Sequence, residues 1–260
     1  MSRLTRSDTM DVSMEAFYRQ AGAIAIAYAR IAPVFYLLPF LNDRTIVNGL
    51  VKNTIVFAVI VGLWPSFAHP PLRGGALAGI ALTEAAAGLV LGVALSLPFW
   101  VATAIGELID NQRGATISDS IDPATGVEAS ALAPFVSLFY AAAFLQQGGM
   151  LTIVGALESS YATVPAGAPF SADLPRVGAL LTDLVAHGLA LAAPVLIVMF
   201  VTDALLGLFS RFCPQVNAFS LSLTVKSIVA FAVFHLYFVY AAPHELTALL
   251  HAHPFGSLVK

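Results

Sequence analysis

Charge is what this sequence has least of. Of its 260 residues only 10% are Asp, Glu, Lys or Arg, while 58% are hydrophobic; soluble domains carry about 25% charged and roughly 45–50% apolar residues. That is too little charge to cover a soluble surface, and the mean hydropathy of +0.85 points to a polytopic, membrane-associated, mostly helical protein. Cysteine is nearly absent: Cys213 stands alone, which excludes an intrachain disulfide and a cysteine metal cluster. Positive charge is in slight deficit, with a formal net charge of −3. With no basic stripe to neutralise phosphates, nucleic acid is not an expected partner. Residues 1–20 balance Arg3, Arg6 and Arg19 against Asp8, Asp11 and Glu15, so the positive n-region of a signal peptide is missing. There is no G-x-S-x-G, H-E-x-x-H or P-loop string either, and neither a catalytic residue nor a cofactor is expected.

What the chain has in abundance is long apolar sequence. Six segments stand out, Ala21–Leu41, Ile46–Ala68, Ala76–Ile105, Ala129–Leu157, Val177–Phe209 and Phe219–Ala242. Helices are the default, because a backbone in lipid must satisfy its own hydrogen bonds and no strand alternation is visible. About 20 residues cross a hydrocarbon core of about 30 Å, and the third and fifth segments exceed that length. They also contain prolines: Pro33 and Pro39 in the first segment, Pro65 near the end of the second, Pro98, Pro134 and Pro194 in the next three. Each predicts a kink or break. Such breaks are tolerated where protein, not lipid, surrounds them.

Ionisable residues interrupt these segments: Arg30, Lys52, Glu84, Asp183, His187, Asp203, Lys226 and His235. Charges at such depth face a bundle interior, an aqueous cavity or a partner, and Arg30, Lys52, Glu84, Asp183 and Asp203 are read as buried charges. Asp183 and His187, four apart, share a helix face; a proton relay, local pairing and contact with another subunit are all open. Orientation is weakly specified. With alternating spans Arg3, Arg6, Arg19, Arg73, Arg176 and Lys260 collect on one side against Arg44, Arg113 and Arg211 on the other, which favours the first side as cytoplasmic. Gly75-x-x-x-Gly79 and Gly88-x-x-x-Gly92 permit close helix approach, within the chain or between subunits. His244, His251 and His253 fit no standard zinc spacing and read as a solvated polar terminus.

Two polar islands carry more information. GELIDNQRGATISDSIDPATGVE, Gly106–Glu128, holds five acids, one arginine, three glycines and a proline. Gly106, Gly114, Gly126 and Asp122-Pro123 argue against a continuous helix through it, and it is far longer than the typical connection of about 4–6 residues. A solvated loop and a functional element are the two readings. The second island, RFCPQVNAFSLSLTVKS from Arg211 to Ser227, joins the last two segments into a hairpin, with Pro214 ending one helix and Asn217 able to cap the next.

The strings GELIDNQRGATISDSIDP and RFCPQVNAFS…TVKS, with the order of the apolar segments, resemble the SctT/FliR/SpaR family of type III secretion export-apparatus proteins over essentially the whole chain. The D-N-Q-R-G-A-T wording is more similar to the injectisome branch than to the flagellar one. The resemblance implies an all-α, membrane-associated fold of kinked and broken helical hairpins, built to pack in a multi-subunit helical ring. It divides the chain into an N-terminal helical part, 1–176, carrying a plug-like loop at 106–128, and a C-terminal hairpin with a polar tail, 177–260. It implies a non-enzymatic, pore-forming subunit of an export gate for unfolded proteins at the bacterial inner membrane, largely on its periplasmic side within the secretion-system base. Partners would be SctR-like, SctS-like and SctU-like subunits, unfolded secreted substrates and membrane lipid. Asn111, Gln112, Arg113, Gly114, Asp119, Asp122, Pro123 and Gly126 would belong to the plug; Pro214, Gln215, Asn217, Phe219 and Lys226 would lie at subunit contacts. The rival reading is a secondary transporter using Glu84, Asp183 and Asp203 around broken helices.

Overall fold

Apolar sequence without β-alternation folds as helix, and no strand is present among the described residues. The computed structural model describes residues 6–42, 48–64, 77–113, 132–213, 218–252 and 254–259. The helices are α1 (Arg6–Leu37), α2 (Pro39–Asn42), α3 (Gly49–Gly62), α4 (Leu77–Gln112), α5 (Leu132–Gln146), α6 (Gly149–Thr163), α7 (Leu174–Phe212) and α8 (Ala218–Ala252), followed by a 3-10 turn at Phe255–Leu258. Among the described residues four helices are long and apolar enough to cross a membrane, or five if α5 and α6 count as one broken span.

Proline acts more selectively than its chemistry suggested. Pro33, Pro98 and Pro194 lie inside α1, α4 and α7, which continue past them. Leu38 interrupts the first segment immediately before Pro39, where the next ring disfavours helical backbone. Pro134 breaks nothing, because it sits in the first turn of α5 where its missing N–H has no intrahelical partner to lose. The fourth segment breaks instead at Gly148, whose φ of +80° is the left-handed conformation that ends helices. Gly106 also fails to interrupt its helix, and α4 runs on to Gln112. In the second segment α3 spans 14 residues, and Pro65 lies outside the described residues.

The chain divides into two compact units that are not consecutive in sequence. One comprises residues 1–96, 150–177 and 253–260, the other 97–149 and 178–252. This grouping differs from a simple cut after residue 176, because α4 passes from the first unit into the second and the C-terminal residues belong to the first.

The first unit is organised around Arg30, which is 1% exposed. Its Nε donates to Glu84 Oε2 at 2.6 Å and its Nη2 to Glu84 Oε1 at 3.1 Å, a bidentate pair with Glu84 also 1% exposed. Nη1 donates to the carbonyls of Ser160 and Val164 at 3.2 and 2.8 Å, at the end of α6. The guanidinium carbon lies 4.2 Å from the centre of the Tyr161 ring. Glu84 Oε1 further accepts the Gly167 N–H at 2.9 Å, where a positive φ of 80° turns the chain. Gly88 and Gly92 make the approach possible: a Cβ at Gly88 would run into the Arg30 backbone, and one at Gly92 into Leu37 and Val34. This motif therefore packs within the chain, whereas Gly79 faces open space. The 3-10 turn after the histidine-bearing stretch is packed. Phe255 and Leu258 are buried, Asp173 N–H donates to the Leu258 carbonyl at 2.9 Å, and the Phe170 and Phe255 rings stack.

Removing one partner of a buried ion pair strands the other charge, at about 3–5 kcal/mol. Glu84→Ala is therefore expected to lower the thermal stability of the purified protein severely. Combining Arg30→Met with Glu84→Leu should recover much of the loss, because no charge remains buried; differential scanning fluorimetry in detergent checks both.

Candidate functional site

The described residues on either side of the acidic insert form a tightly bonded polar cluster within the second unit. α4 delivers Asp110, 1% exposed, and Arg113 follows the helix, with its N–H still donating to the Ile109 carbonyl at 3.0 Å. Arg113 Nε donates to Asp110 Oδ1 at 2.6 Å. The other carboxylate oxygen, Oδ2, accepts the backbone N–H of Leu132 at 2.9 Å, the first residue of α5. A carboxylate is well placed there, because the first N–H groups of a helix lack intrahelical acceptors and carry partial positive charge. Gly106 permits this arrangement: a Cβ on it would overlap the Ala133 backbone.

α8 supplies the second half. Lys226 Nζ donates to the Gln112 carbonyl at 3.0 Å, at the C-terminal end of α4. It also pairs with Asp203 Oδ2 of α7 at 3.0 Å, while Ser222 Oγ donates to Asp203 Oδ1 at 2.8 Å. The cation thus meets both a carboxylate and the negative end of a helix. The Arg113 guanidinium stands 5.7 Å from the Phe231 ring centre, within cation–π range.

Of the residues expected in the plug, Asn111 is exposed and Gln112 half-buried in the last turn of α4, and Arg113 is half-buried beside them. Gly114, Asp119, Asp122, Pro123 and Gly126 lie outside the described residues, as do Pro214, Gln215 and Asn217. Phe219 falls in the first turn of α8, with its side chain also outside that set. Lys226, expected at a subunit contact, is engaged inside the chain. Among the internal charges, Lys52 is 6% exposed and lies 4.8 Å from the Tyr36 ring centre, while Asp183 and Asp203 are half-buried. His187 Nδ1 bonds to the Asp183 backbone carbonyl at 2.9 Å within their own helical turn. No group of three or more His, Cys, Asp or Glu is arranged to hold a metal among the described residues; His244 is exposed, and His251 and His253 fall outside the described side chains.

Two contributors escaped the sequence reading. Asp110 was one acid among five in the insert, although its i,i+3 spacing to Arg113 on a helix signals a pair. Phe231 had no signal, since nothing in the sequence says which aromatic of an apolar helix meets a cation from another element.

The family model described as bacterial export proteins, family 1, matches residues 21–251. The chain belongs to that family. It is 42% identical over 227 residues to the surface presentation of antigens protein SpaR of Salmonella typhimurium, covering 86% of each chain. It is 28% identical over 232 residues to the Yop proteins translocation protein T of Yersinia pestis, covering 85% of this chain and 87% of that one. The flagellar biosynthetic protein FliR of Escherichia coli is more distant, 26% identical over 208 residues, 75% and 78% of the two chains. The chain therefore sits in the injectisome branch of the SctT/FliR/SpaR family. Membership and four membrane-length apolar helices make it an inner-membrane protein.

The close approach at Gly106 gives a direct test. Gly106→Ala is expected to destabilise by about 1–3 kcal/mol, the usual penalty of overpacking, and Gly79→Ala to be nearly silent because its Cβ meets nothing within 4 Å. Melting of the two variants in detergent, side by side, checks the difference.

Proposed function

We propose that this chain is a pore-forming, non-enzymatic subunit of a type III export gate, passing unfolded proteins across the inner membrane. The reading rests on family membership. The observation from the fold that favours it is the distribution of apolar surface: the most apolar stretch of α4 is 72% buried, those of α7 and α8 only 28% and 17%. Phe200, Leu205, Leu208 and Phe212 of α7 are all exposed. A solitary bundle could present these faces only to lipid. A ring subunit presents them to SctR-like and SctS-like neighbours as well, with an SctU-like protein as a further partner. In this reading most of the protein stands on the periplasmic side, within the secretion-system base.

The insert, residues 111–128, is the channel-obstructing element in this proposal. Its polar composition suits an aqueous conduit, and Gly114 and Gly126 let it bend. Substrate entry displaces it, so its seal is of low local stability. Gln215, Asn217 and Phe219, with Pro214, belong to subunit contacts. The transporter reading loses two of its three carboxylates, because Glu84 is held bidentate by Arg30 and Asp203 by Lys226 and Ser222.

Deleting residues 115–124 should raise ion leak across the inner membrane of cells expressing the whole apparatus. Conductance equal to wild type in a correctly assembled complex would remove the obstructing role. Expressed alone, the chain should be heterogeneous in size, and co-expression with its neighbours should move it into one large complex on size exclusion.

A further inference from the structure

Asp110 touches both ends of a long segment at once. Its two oxygens serve residues on opposite sides of it in the chain: Oδ1 accepts Arg113 Nε at 2.6 Å and Oδ2 accepts Leu132 N–H at 2.9 Å, 22 residues further on. Leu132 is 1% exposed and so is Asp110, so water cannot replace the bond between them without opening the helix ends. Lys226 then holds the C-terminal carbonyl of α4 from a third helix, and Asp203, oriented by Ser222, fixes Lys226.

We infer that Asp110 is a positioning residue, the centre of a charge clamp with Arg113, Lys226 and Asp203 that holds the end of α4 and the start of α5 at fixed separation. The consequence is mechanical. Bringing the ends of a long loop together carries an entropic cost, and here the clamp incurs it once, on folding. Whatever the intervening residues do, the two helix ends do not have to move with them. Arg113 Nε is committed inside the chain by the same bond, which leaves Asn111, exposed at the last turn of α4, as the member of the Asn-Gln-Arg trio facing outward. The effect of the clamp on ion leak rests on the proposed obstructing role of the insert; the clamp itself does not.

The test uses the chain co-purified with the other export-apparatus subunits and reads amide hydrogen exchange over residues 105–113 and 132–138, with ion leak measured in parallel. Loss of a carboxylate cap at a helix N-terminus corresponds to about tenfold in the local opening equilibrium. Asp110→Ala should therefore speed exchange at Leu132 and Ala133 about tenfold and leave α1 and α3 unchanged. Asp110→Asn, which keeps an oxygen for the Leu132 N–H, should restore most of the protection there while leaving 110–113 faster, because Arg113 has lost its counter-charge. Unchanged exchange at both helix ends in an assembled Asp110→Ala complex overturns the clamp. If that variant does not assemble, Asp110→Asn decides alone, and wild-type exchange at 110–113 overturns it. Faster exchange with wild-type leak keeps the clamp and removes the obstructing role of the insert; raised leak with unchanged exchange does the reverse.

Discussion

The guanidinium of Arg30 is buried away from bulk solvent, and the first unit is arranged to supply oxygens in water's place. One carboxylate, two helix-terminal carbonyls and one aromatic face meet it from α4 and α6. An isolated charge in such surroundings is far too costly to keep, so α1, α4 and α6 must all be present before any is stable. Glu84 extends the chain of dependence through Gly167, whose turn leads to the residues that bind the C-terminal tail. The small residues follow from the same requirement. Gly88 lies against the Arg30 backbone because only a residue without a Cβ lets α4 come near enough for its Glu84, one turn earlier, to reach the guanidinium.

The second unit solves the same problem with other residues. Lys226 takes a helix-terminal carbonyl and a carboxylate, as Arg30 does, and Asp110 caps a backbone N–H, as Glu84 does. In each unit the cation goes to a helix C-terminus, as the helix dipole favours, and the anion accepts a backbone N–H, at the start of α5 for Asp110 and in the turn at Gly167 for Glu84. Arg30 is fully enclosed and makes four hydrogen bonds, as its planar fork allows. Lys226 is less enclosed and makes two.

Fold class was legible from composition, because a chain so poor in charge and free of alternation has few options other than packed helices. Boundaries were less so, and the reason is positional. Pro134 and Gly106 carry strong local signals, yet one falls in a first turn where proline is tolerated and the other in a helix interior where a neighbouring backbone needs the space. Gly148, between Gln147 and Gly149, drew no notice in the sequence and broke its segment. The family strings identified both polar islands, but the partners within them come from distant elements: Lys226 meets Gln112, 114 residues away. Spacing along one helix predicts Asp110 with Arg113; nothing local predicts Leu132 or Phe231. Phe255 and Leu258 likewise gain their burial from a segment near residue 170, which nothing local signals.

Charge satisfaction also bears on assembly. Arg30, Glu84, Asp110, Asp203 and Lys226 all find opposite charge or backbone partners within the chain. What α7 and α8 leave exposed is chiefly apolar, from Leu181 and Val185 to Phe212 and from Ile228 to Leu236. Such faces draw little from the hydrophobic effect when they leave lipid for a sister helix, since lipid tails are equally apolar, so association depends on packing shape and interhelical bonds. A subunit whose buried charges are already paired can exchange lipid for protein neighbours without stranding any of them. An unpaired charge on those faces would instead have to wait for its partner in lipid. In the proposed ring, internal pairing would therefore let such an apolar surface meet its neighbours in any order of encounter.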